Sequence, residues 1–150
     1  MIQRAKIKDG PAIQKLINGH AKKGKMLPRS ILEIYERIRE FFVYRRNGRV
    51  VGAASLSICW EDLAEIRSVA VKKSQAGRGV GRKLLEACEE EARQLGIKKV
   101  FVLTYIPEYF KKFGYKTVNR AKLPHKIWKD CVNCPKFPDC GEVPMVKEIR

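Results

Sequence analysis

The stretch that decides the fold is AEIRSVAVKKSQAGRGVGRKLLEACEEEARQL, residues 64–95. Its first part, up to Val71, reads as a β-strand. From Val80 onward the apolar residues recur at helical spacing, and Gly96 follows as a helix stop. Between them lies a turn with a glycine at every second position, namely Gly77, Gly79 and Gly81. The stretch therefore predicts a strand, a glycine turn and a helix.

The glycine turn has two interpretations. Glycine tolerates positive φ and close backbone approach, so backbone N–H groups at this helix start can surround an anion. Taken alone, the turn is equally consistent with a simple helix cap. The familiar phosphate-binding motifs do not match: G-x-x-x-x-G-K-[ST] is absent, and Arg82 breaks G-x-G-x-x-G. A P-loop nucleoside triphosphatase or a dinucleotide-binding dehydrogenase is therefore not indicated.

The elements predicted for the rest of the chain place this block in the sheet of an α/β fold. Residues 97–103, IKKVFVL, predict a strand after the helix, which makes two parallel strands with the turn at the carboxyl end of the first. Ligands bind at that end of such sheets. The other predicted elements are a strand at 2–7, a helix opened by Asp9, a helix capped by Ser30 and Glu33, a hairpin at 41–58, a loop at 59–62, a short helix at 107–114, and strands at 115–119 and 142–149.

Composition limits the possible classes of protein. The 150 residues fit one domain, 1–150, and 45% hydrophobic with 32% charged residues is typical of a globular protein. The N-terminus has no signal-peptide pattern and no apolar run reaches membrane-spanning length. We expect a soluble cytoplasmic protein that does not bind membranes.

The net charge of +16 is compatible with an anionic partner. The cations are spread along the chain in doublets and do not gather in one arm or helix face. This distribution is more typical of a solvated surface than of a nucleic-acid site, so nucleic acid is not the favoured partner. A small polyanionic ligand fits equally well.

Three of the five cysteines form a C-x-x-C-x5-C pattern within residues 131–140. Cys131, Cys134 and Cys140, with His125 as a fourth ligand, would suit a structural zinc ion. A second C-x-x-C pair is missing, so thiols or a disulfide are favoured over metal. Cys59 and Cys88 sit in apolar surroundings and are predicted to be buried. His20 is expected to face solvent.

The strand–turn–helix block at 64–95 and the aromatic–glycine–aromatic close YFKKFGY at 109–115 resemble the GCN5-related N-acetyltransferase family. The resemblance implies a single α/β domain, a mixed twisted sheet with helices on both faces, and acetyl-CoA as co-substrate. MLPRS at 26–30 and VFVLTY at 100–105 are closer to amino-acid N-acetyltransferases of the N-acetylglutamate synthase type. That resemblance implies acetylation of the α-amine of L-glutamate, at the entrance to arginine biosynthesis.

The resemblance also implies where acetyl-CoA binds. The implied residues are Val69, Val71, Gln75, Ala76, Gly77, Arg78, Gly79, Val80, Gly81 and Arg82. The turn would receive the pyrophosphate, and the backbone of Val69 and Val71 would pair with the pantetheine arm. Ala76 stands where the family has Arg or Gln, and the adjacent Gln75 is the expected substitute.

Two catalytic residues are implied. Glu65 lies where the family places a carboxylate base, and an α-ammonium must lose a proton before it attacks a thioester. The alternative is an exposed strand glutamate paired with lysine. Many family members have a Tyr that acts as general acid, and Phe110 stands at that position here. The adjacent Tyr109 is expected to point away from the site. Thr104 is therefore the candidate proton donor to the leaving thiolate, with Tyr105 in reserve.

The acceptor would be held by Arg29, with Ser68 contributing its backbone and with Arg67 and Arg4 as weaker candidates. Direct transfer of the acetyl group is expected, because no cysteine or serine stands at a turn typical of a catalytic nucleophile. A protein N-terminus, lysine, polyamine or other amine is the alternative acceptor. A non-catalytic acetyl-CoA sensor or a nucleic-acid-binding module is the alternative from another class. A homo-oligomer is compatible with the sequence.

Overall fold

A computed structural model describes residues 1–24, 26–119 and 142–149 of the chain. These residues form a seven-stranded sheet with helices on both faces. The strands are β1 (Ile2–Arg4), β2 (Phe41–Arg46), β3 (Arg49–Trp60), β4 (Leu63–Val71), β5 (Lys99–Thr104), β6 (Lys116–Thr117) and β7 (Val143–Glu148). The α-helices are α1 (Gly10–Ala21), α2 (Ile31–Glu36), α3 (Val80–Gln94) and α4 (Pro107–Lys111). Short 3-10 helices span Ile7–Asp9, Ile38–Glu40 and Lys73–Gln75.

The sheet order is β1-β2-β3-β4-β5-β7-β6, and the β4–β5 pair is parallel while the other pairs are antiparallel. The predicted strand–turn–helix–strand block is confirmed as β4, the glycine turn, α3 and β5. Gly96, with φ of 84°, follows the end of α3 as predicted.

Two apolar cores lie on opposite faces of the sheet. Strand β2 alternates between them, with Phe41 and Val43 packing toward α1 and α2, and Phe42 and Tyr44 packing toward α3. This alternation is the period of two that an antiparallel strand imposes. Each fully buried aliphatic or aromatic side chain contributes about 1.5–3 kcal/mol, so both cores stabilise the sheet substantially.

Helix α3 covers the sheet next to the glycine turn. Its apolar face includes Leu84, Cys88 and Ala92, each 0% exposed. They are spaced by four residues and therefore lie along one side of the helix. This packing fixes the helix N-terminus at the carboxyl end of β4, where the site lies.

Several strand bounds differ from the sequence prediction, and two of the differences follow from local structure. Strand β1 ends at Arg4, because residues Ile7–Asp9 wind into a 3-10 helix. Strand β3 continues through the predicted loop as far as Trp60, because Cys59 packs with Leu63 and Phe101. Among the described residues, no helix combines the length and apolarity needed to cross a bilayer.

Asp9 was predicted to cap α1, but its side chain makes no cap bond to that helix. Its Oδ2 instead accepts hydrogen bonds from the Lys6 backbone N–H at 2.8 Å and from Arg45 Nη2 at 2.6 Å. Burial alone would raise the pKa of Asp9, but these hydrogen bonds outweigh it and hold the pKa below its ordinary value. The pair joins the start of α1 to strand β2.

We predict that Asp9→Asn lowers the free energy of unfolding at pH 7 by about 3 kcal/mol, because Arg45 loses a buried charged partner. A lowered folded pKa stabilises the protein above the ordinary Asp value of 3.8, and that stability is lost as pH falls below it. Urea unfolding should therefore show wild type and variant converging at acid pH. The control Glu108→Gln removes an 82% exposed carboxylate and should change stability by less than about 0.5 kcal/mol. A constant difference from pH 7 to pH 3 would contradict the assignment.

Candidate active site

A cavity of about 760 Å³ lies at the carboxyl ends of the two parallel strands. Strands β4 and β5 pair only at three positions, from Leu63–Lys99 to Glu65–Phe101. Beyond them β5 continues to pair with β7 as far as Thr104, while β4 continues to pair with β3. The two parallel strands thus separate, and the gap between them opens into the cavity.

Most of the predicted site residues meet in this cavity. The cavity is lined by every proposed cofactor residue except Arg78, by the acceptor candidates Arg29, Arg67 and Ser68, and by Glu65 and Thr104. Tyr105 and Arg4 do not line it. Arg4 instead forms an ion pair with Glu91 and lies 5.0 Å from the centre of the Phe42 ring, on the α3 side of the sheet.

A β-bulge at Ser68 divides strand β4. Arg67 is opposite Ser55 and Ala70 is opposite Ala53, so β4 contains one more residue than β3 over this interval. Ser68 takes a φ of 57°, which is uncommon for a residue other than glycine. The bulge changes which residues face each side: Arg67 lies on the α1 side with Glu65, and Val69 packs on the α3 side.

The glycine turn has the backbone that the sequence predicted. Gly77 and Gly79 have φ of 78° and 79°, and no atom of the described residues lies within 4 Å of where a Cβ would stand on either. Gly79 immediately precedes α3, so the first N–H groups of that helix lie next to the cavity. Positive φ and open space together fit a bound pyrophosphate.

Gly81 serves a different purpose. A Cβ at this position would collide with the hydroxyl of Tyr109, which packs against the first turn of α3. Tyr109 was expected to point away, but it lines the cavity, and burial raises the pKa of its phenol. Phe110 is 5% exposed and also contributes to the cavity wall.

Two polar side chains beside the turn, Arg82 and Gln75, offer a cation and an unpaired hydrogen-bond acceptor to a ligand. Arg82 lines the cavity and is paired with Glu86 at 2.9 Å on the exposed side of α3. The side-chain oxygen of Gln75 is buried and has no hydrogen-bond partner among the described residues. A buried amide without a partner is costly, and a ligand N–H would satisfy it.

His20 was expected to face solvent but lines the cavity. Its Nε2 lies 2.8 Å from the backbone carbonyl oxygen of Val71, the last residue of β4. The contact ties the C-terminal part of α1 to the strand that borders the cavity.

Glu65 is 6% exposed and lies in the cavity wall. Arg67 Nε donates a hydrogen bond to its Oε1 at 2.6 Å. The alternative of an exposed strand glutamate is therefore wrong, because the Glu65 side chain is buried. A buried carboxylate that borders a ligand cavity has the chemistry of a general base.

Thr104 lies across the gap from Glu65. It is 6% exposed, and its Oγ1 accepts a hydrogen bond from the Ile106 N–H at 2.9 Å. Strand alternation puts Thr104 on the same face as Val100 and Val102, which pack against α3. Glu65 and Thr104 therefore border the gap from opposite faces of the sheet.

The far end of the cavity is rich in arginine. Arg29 is fixed through its backbone, whose N–H donates to Asn18 Oδ1 at 3.1 Å. Its guanidinium makes a long contact of 3.5 Å with Glu33. A small adjoining cavity of about 20 Å³ is lined by Arg29, Arg67 and Ser68 together with Arg37. This end of the site therefore presents cations to a ligand.

The cysteine predictions are only partly testable. Cys59 and Cys88 are buried as predicted, and burial raises the pKa of Cys88. Residues 120–141 lie outside the described part of the chain, and with them Cys131, Cys134, Cys140 and His125. The described ranges contain no group of three His, Cys, Asp or Glu side chains suited to a metal ion. The prediction that thiols or a disulfide are favoured over zinc at these cysteines stays a prediction.

The site combines two parallel strands that separate, a glycine turn at a helix start and a buried carboxylate in the same cavity. This combination is typical of an acyl-CoA-dependent transferase. A model described as the acetyltransferase (GNAT) family matches residues 16–115. The chain belongs to the GNAT acetyltransferase family. It is an acetyl-CoA-dependent N-acetyltransferase, so the predictions of family, fold class and co-substrate are confirmed.

Several relatives are informative. An uncharacterized N-acetyltransferase of Chlorobaculum tepidum is 41% identical over 99% of this chain and 96% of that protein. An amino-acid acetyltransferase of Mycobacterium tuberculosis is 33% identical over 87% of this chain and 76% of that protein. A crystal structure of N-acetylglutamate synthase from Neisseria gonorrhoeae, complexed with coenzyme A and N-acetyl-glutamate, superposes with a TM-score of 0.92. It is 28% identical, and the match covers all of this chain and 35% of that one.

We predict that Gly79→Ala raises the KM for acetyl-CoA about tenfold, because positive φ strains an alanine by about 1 kcal/mol or more and shifts the N–H groups of the turn. The KM for the acceptor amine should change little. Gly19→Ala is the matched control, since Gly19 lies within α1 with nothing near its Cβ position and an ordinary φ. Steady-state kinetics on both variants test this, and an unchanged acetyl-CoA KM in folded Gly79→Ala would refute it.

Proposed function

We propose that the enzyme transfers the acetyl group of acetyl-CoA to the α-amine of an amino acid, with L-glutamate as the acceptor. The observation that carries the proposal is one continuous cavity with the glycine turn at one end and Arg29 beside the Glu65–Arg67 pair at the other. A cavity of this form accommodates two anionic substrates with their reacting groups in the middle. Transfer then occurs directly in a ternary complex.

The proposed mechanism begins with the acceptor ammonium. Glu65 takes one proton from it, directly or through one water, and the resulting amine attacks the thioester carbonyl carbon. A C–N bond forms, the carbonyl π electrons move to oxygen, and a backbone N–H near Val69 stabilises that oxyanion. When the carbonyl re-forms, the C–S bond breaks, and the attacking nitrogen, which is positively charged after the attack, releases its extra proton to solvent to leave a neutral amide. Thr104 donates its hydroxyl proton to the leaving sulfur and regains one from solvent.

Charge supports a dicarboxylate acceptor. Glutamate carries two carboxylates, and arginine binds a carboxylate through two parallel hydrogen bonds. The Arg29 guanidinium is 32% exposed, and its contact within the described part of the chain is a long one with Glu33, so it can exchange that partner for a substrate carboxylate. The relatives named amino-acid acetyltransferase, and the gonococcal synthase structure with N-acetyl-glutamate, support the same acceptor.

The proposal includes a physiological setting. In the N-acetylglutamate synthases that the sequence resembles, acetylation of glutamate is the entry reaction of arginine biosynthesis, and we propose the same setting here. We place the enzyme in the cytoplasm, where acetyl-CoA and amino acids are both present. The rival acceptors are a protein N-terminus, lysine, polyamine or another amine. A polyamine would require an acidic site, whereas this end of the cavity carries Arg29 and Arg67, and Arg37 lines the small cavity next to it.

The test of the acceptor is release of CoA thiol from acetyl-CoA with L-glutamate, other L-amino acids, a polyamine and a peptide N-terminus. We expect glutamate to give the highest kcat/KM. Arg29→Ala should raise the glutamate KM about tenfold or more, the cost of a lost charge-assisted contact, with little effect on the acetyl-CoA KM.

Arg39→Ala is the control for this test, since Arg39 is an exposed arginine close in sequence that lines none of these cavities. It should behave as wild type. Turnover with a polyamine or a peptide in preference to every amino acid would overturn the choice of acceptor.

We predict that Glu65→Gln lowers kcat about 10²-fold at neutral pH and leaves acetyl-CoA affinity nearly unchanged, because the amide cannot accept the ammonium proton. Glu61→Gln, in the exposed turn between β3 and β4, is the matched control and should retain full activity. Steady-state turnover and acetyl-CoA binding by calorimetry measure the two quantities. Wild-type turnover in Glu65→Gln would eliminate Glu65 as the base.

A further inference from the structure

Arg67 is set apart from the other arginines of the site by its contact with Glu65. Its Nε donates to Glu65 Oε1 at 2.6 Å, and the two side chains are 17% and 7% exposed. They stand two residues apart on one strand and therefore project from the same face. The bulge at Ser68 comes directly after Arg67, so this shared face ends there.

The backbone of Arg67 is also held in place. Ser55, which is opposite Arg67 on β3 and 3% exposed, donates its hydroxyl hydrogen to the Arg67 carbonyl oxygen at 3.2 Å. The strand is thus fixed on one side of the bulge, and the guanidinium is directed at the carboxylate. Arg29, by contrast, is more exposed and makes only a 3.5 Å contact.

A buried carboxylate has a physical requirement that Arg67 meets. Removing an ionised carboxylate from water without a partner is costly, and such a group takes up a proton instead. A glutamic acid that is already protonated cannot accept a proton from an ammonium. An arginine at hydrogen-bond distance favours the ionised form and restricts the orientation of the carboxylate.

We propose that Arg67 is a positioning residue that acts through Glu65, keeping the buried carboxylate ionised and oriented for proton transfer, and is not a clamp for the acceptor carboxylate. The inference rests on the proposed role of Glu65 as base. It reassigns Arg67 from the substrate-binding role that the sequence predicted.

A double-mutant cycle tests this assignment. The four enzymes are wild type, Glu65→Gln, Arg67→Gln and the double variant, each assayed for kcat and for the KM of L-glutamate. We expect Arg67→Gln alone to lower kcat about tenfold or more with a small change in glutamate KM. In the Glu65→Gln background the same substitution should change kcat less than about twofold, since residues that act as a unit are not additive.

The opposite pattern identifies a substrate clamp. If Arg67 binds the acceptor carboxylate, Arg67→Gln raises the glutamate KM by a similar factor in both backgrounds and leaves kcat near its starting value. That result would overturn the inference while the base assignment stands. If Glu65→Gln itself retains wild-type kcat, the proposed base fails, and the two failures are therefore distinguishable.

Folding effects are separated by two further variants. Arg67→Lys keeps the charge but lacks the planar fork, so it should restore part of the kcat lost in Arg67→Gln. Arg45→Gln breaks the matched pair with Asp9, which has the same 2.6 Å contact and exposures of 17% and 4% but lies outside the cavity. It should lower stability and leave kcat unchanged. Equal losses of kcat in Arg45→Gln and Arg67→Gln would show a purely structural effect and refute the inference.

Discussion

The site depends on the short parallel pairing between β4 and β5, which ends at Glu65 and Phe101. Each strand has a second neighbour that it follows beyond this point: β3 for β4 and β7 for β5. Where the two strands separate, each keeps its backbone hydrogen bonds along its outer edge, and only its inner edge loses them. The inner edges then face a cavity, where a ligand with amide groups can complete the hydrogen bonding.

The bulge at Ser68 turns that separation into a site with distinct sides. Without the extra residue, Glu65, Arg67 and Val69 would all face α1, since side chains alternate along a regular strand. With it, the charged pair stays on the α1 side and Val69 joins the core against α3. One additional residue therefore separates a polar wall, suited to proton transfer, from an apolar wall, suited to the arm of a cofactor.

The sequence predicts the elements well because each has a local signal, and it predicts the site less well because side-chain directions depend on tertiary contacts. Helix α3 and its glycine turn follow from spacing and from positive φ, which are properties of the local chain. The bulge could not be predicted, since Ser68 carries no glycine-like signal for its φ of 57°. The inward direction of Tyr109 depends on the missing Cβ of Gly81, a residue distant in sequence.

The positive charge of the chain suits acetyl-CoA and the anionic acceptor proposed above. Several cations are occupied by carboxylates away from the cavity, as in the pairs Arg4–Glu91 and Arg45–Asp9. Others, including Lys23, Lys73 and Lys112, lie along the cavity. A net charge of +16 gives a positive potential that attracts anions from a distance, while the residues at the cavity determine which of them is bound. The phosphates of CoA and the carboxylates of the proposed amino-acid acceptor both gain from this potential, so a strongly basic surface is compatible with an enzyme that acts on small molecules.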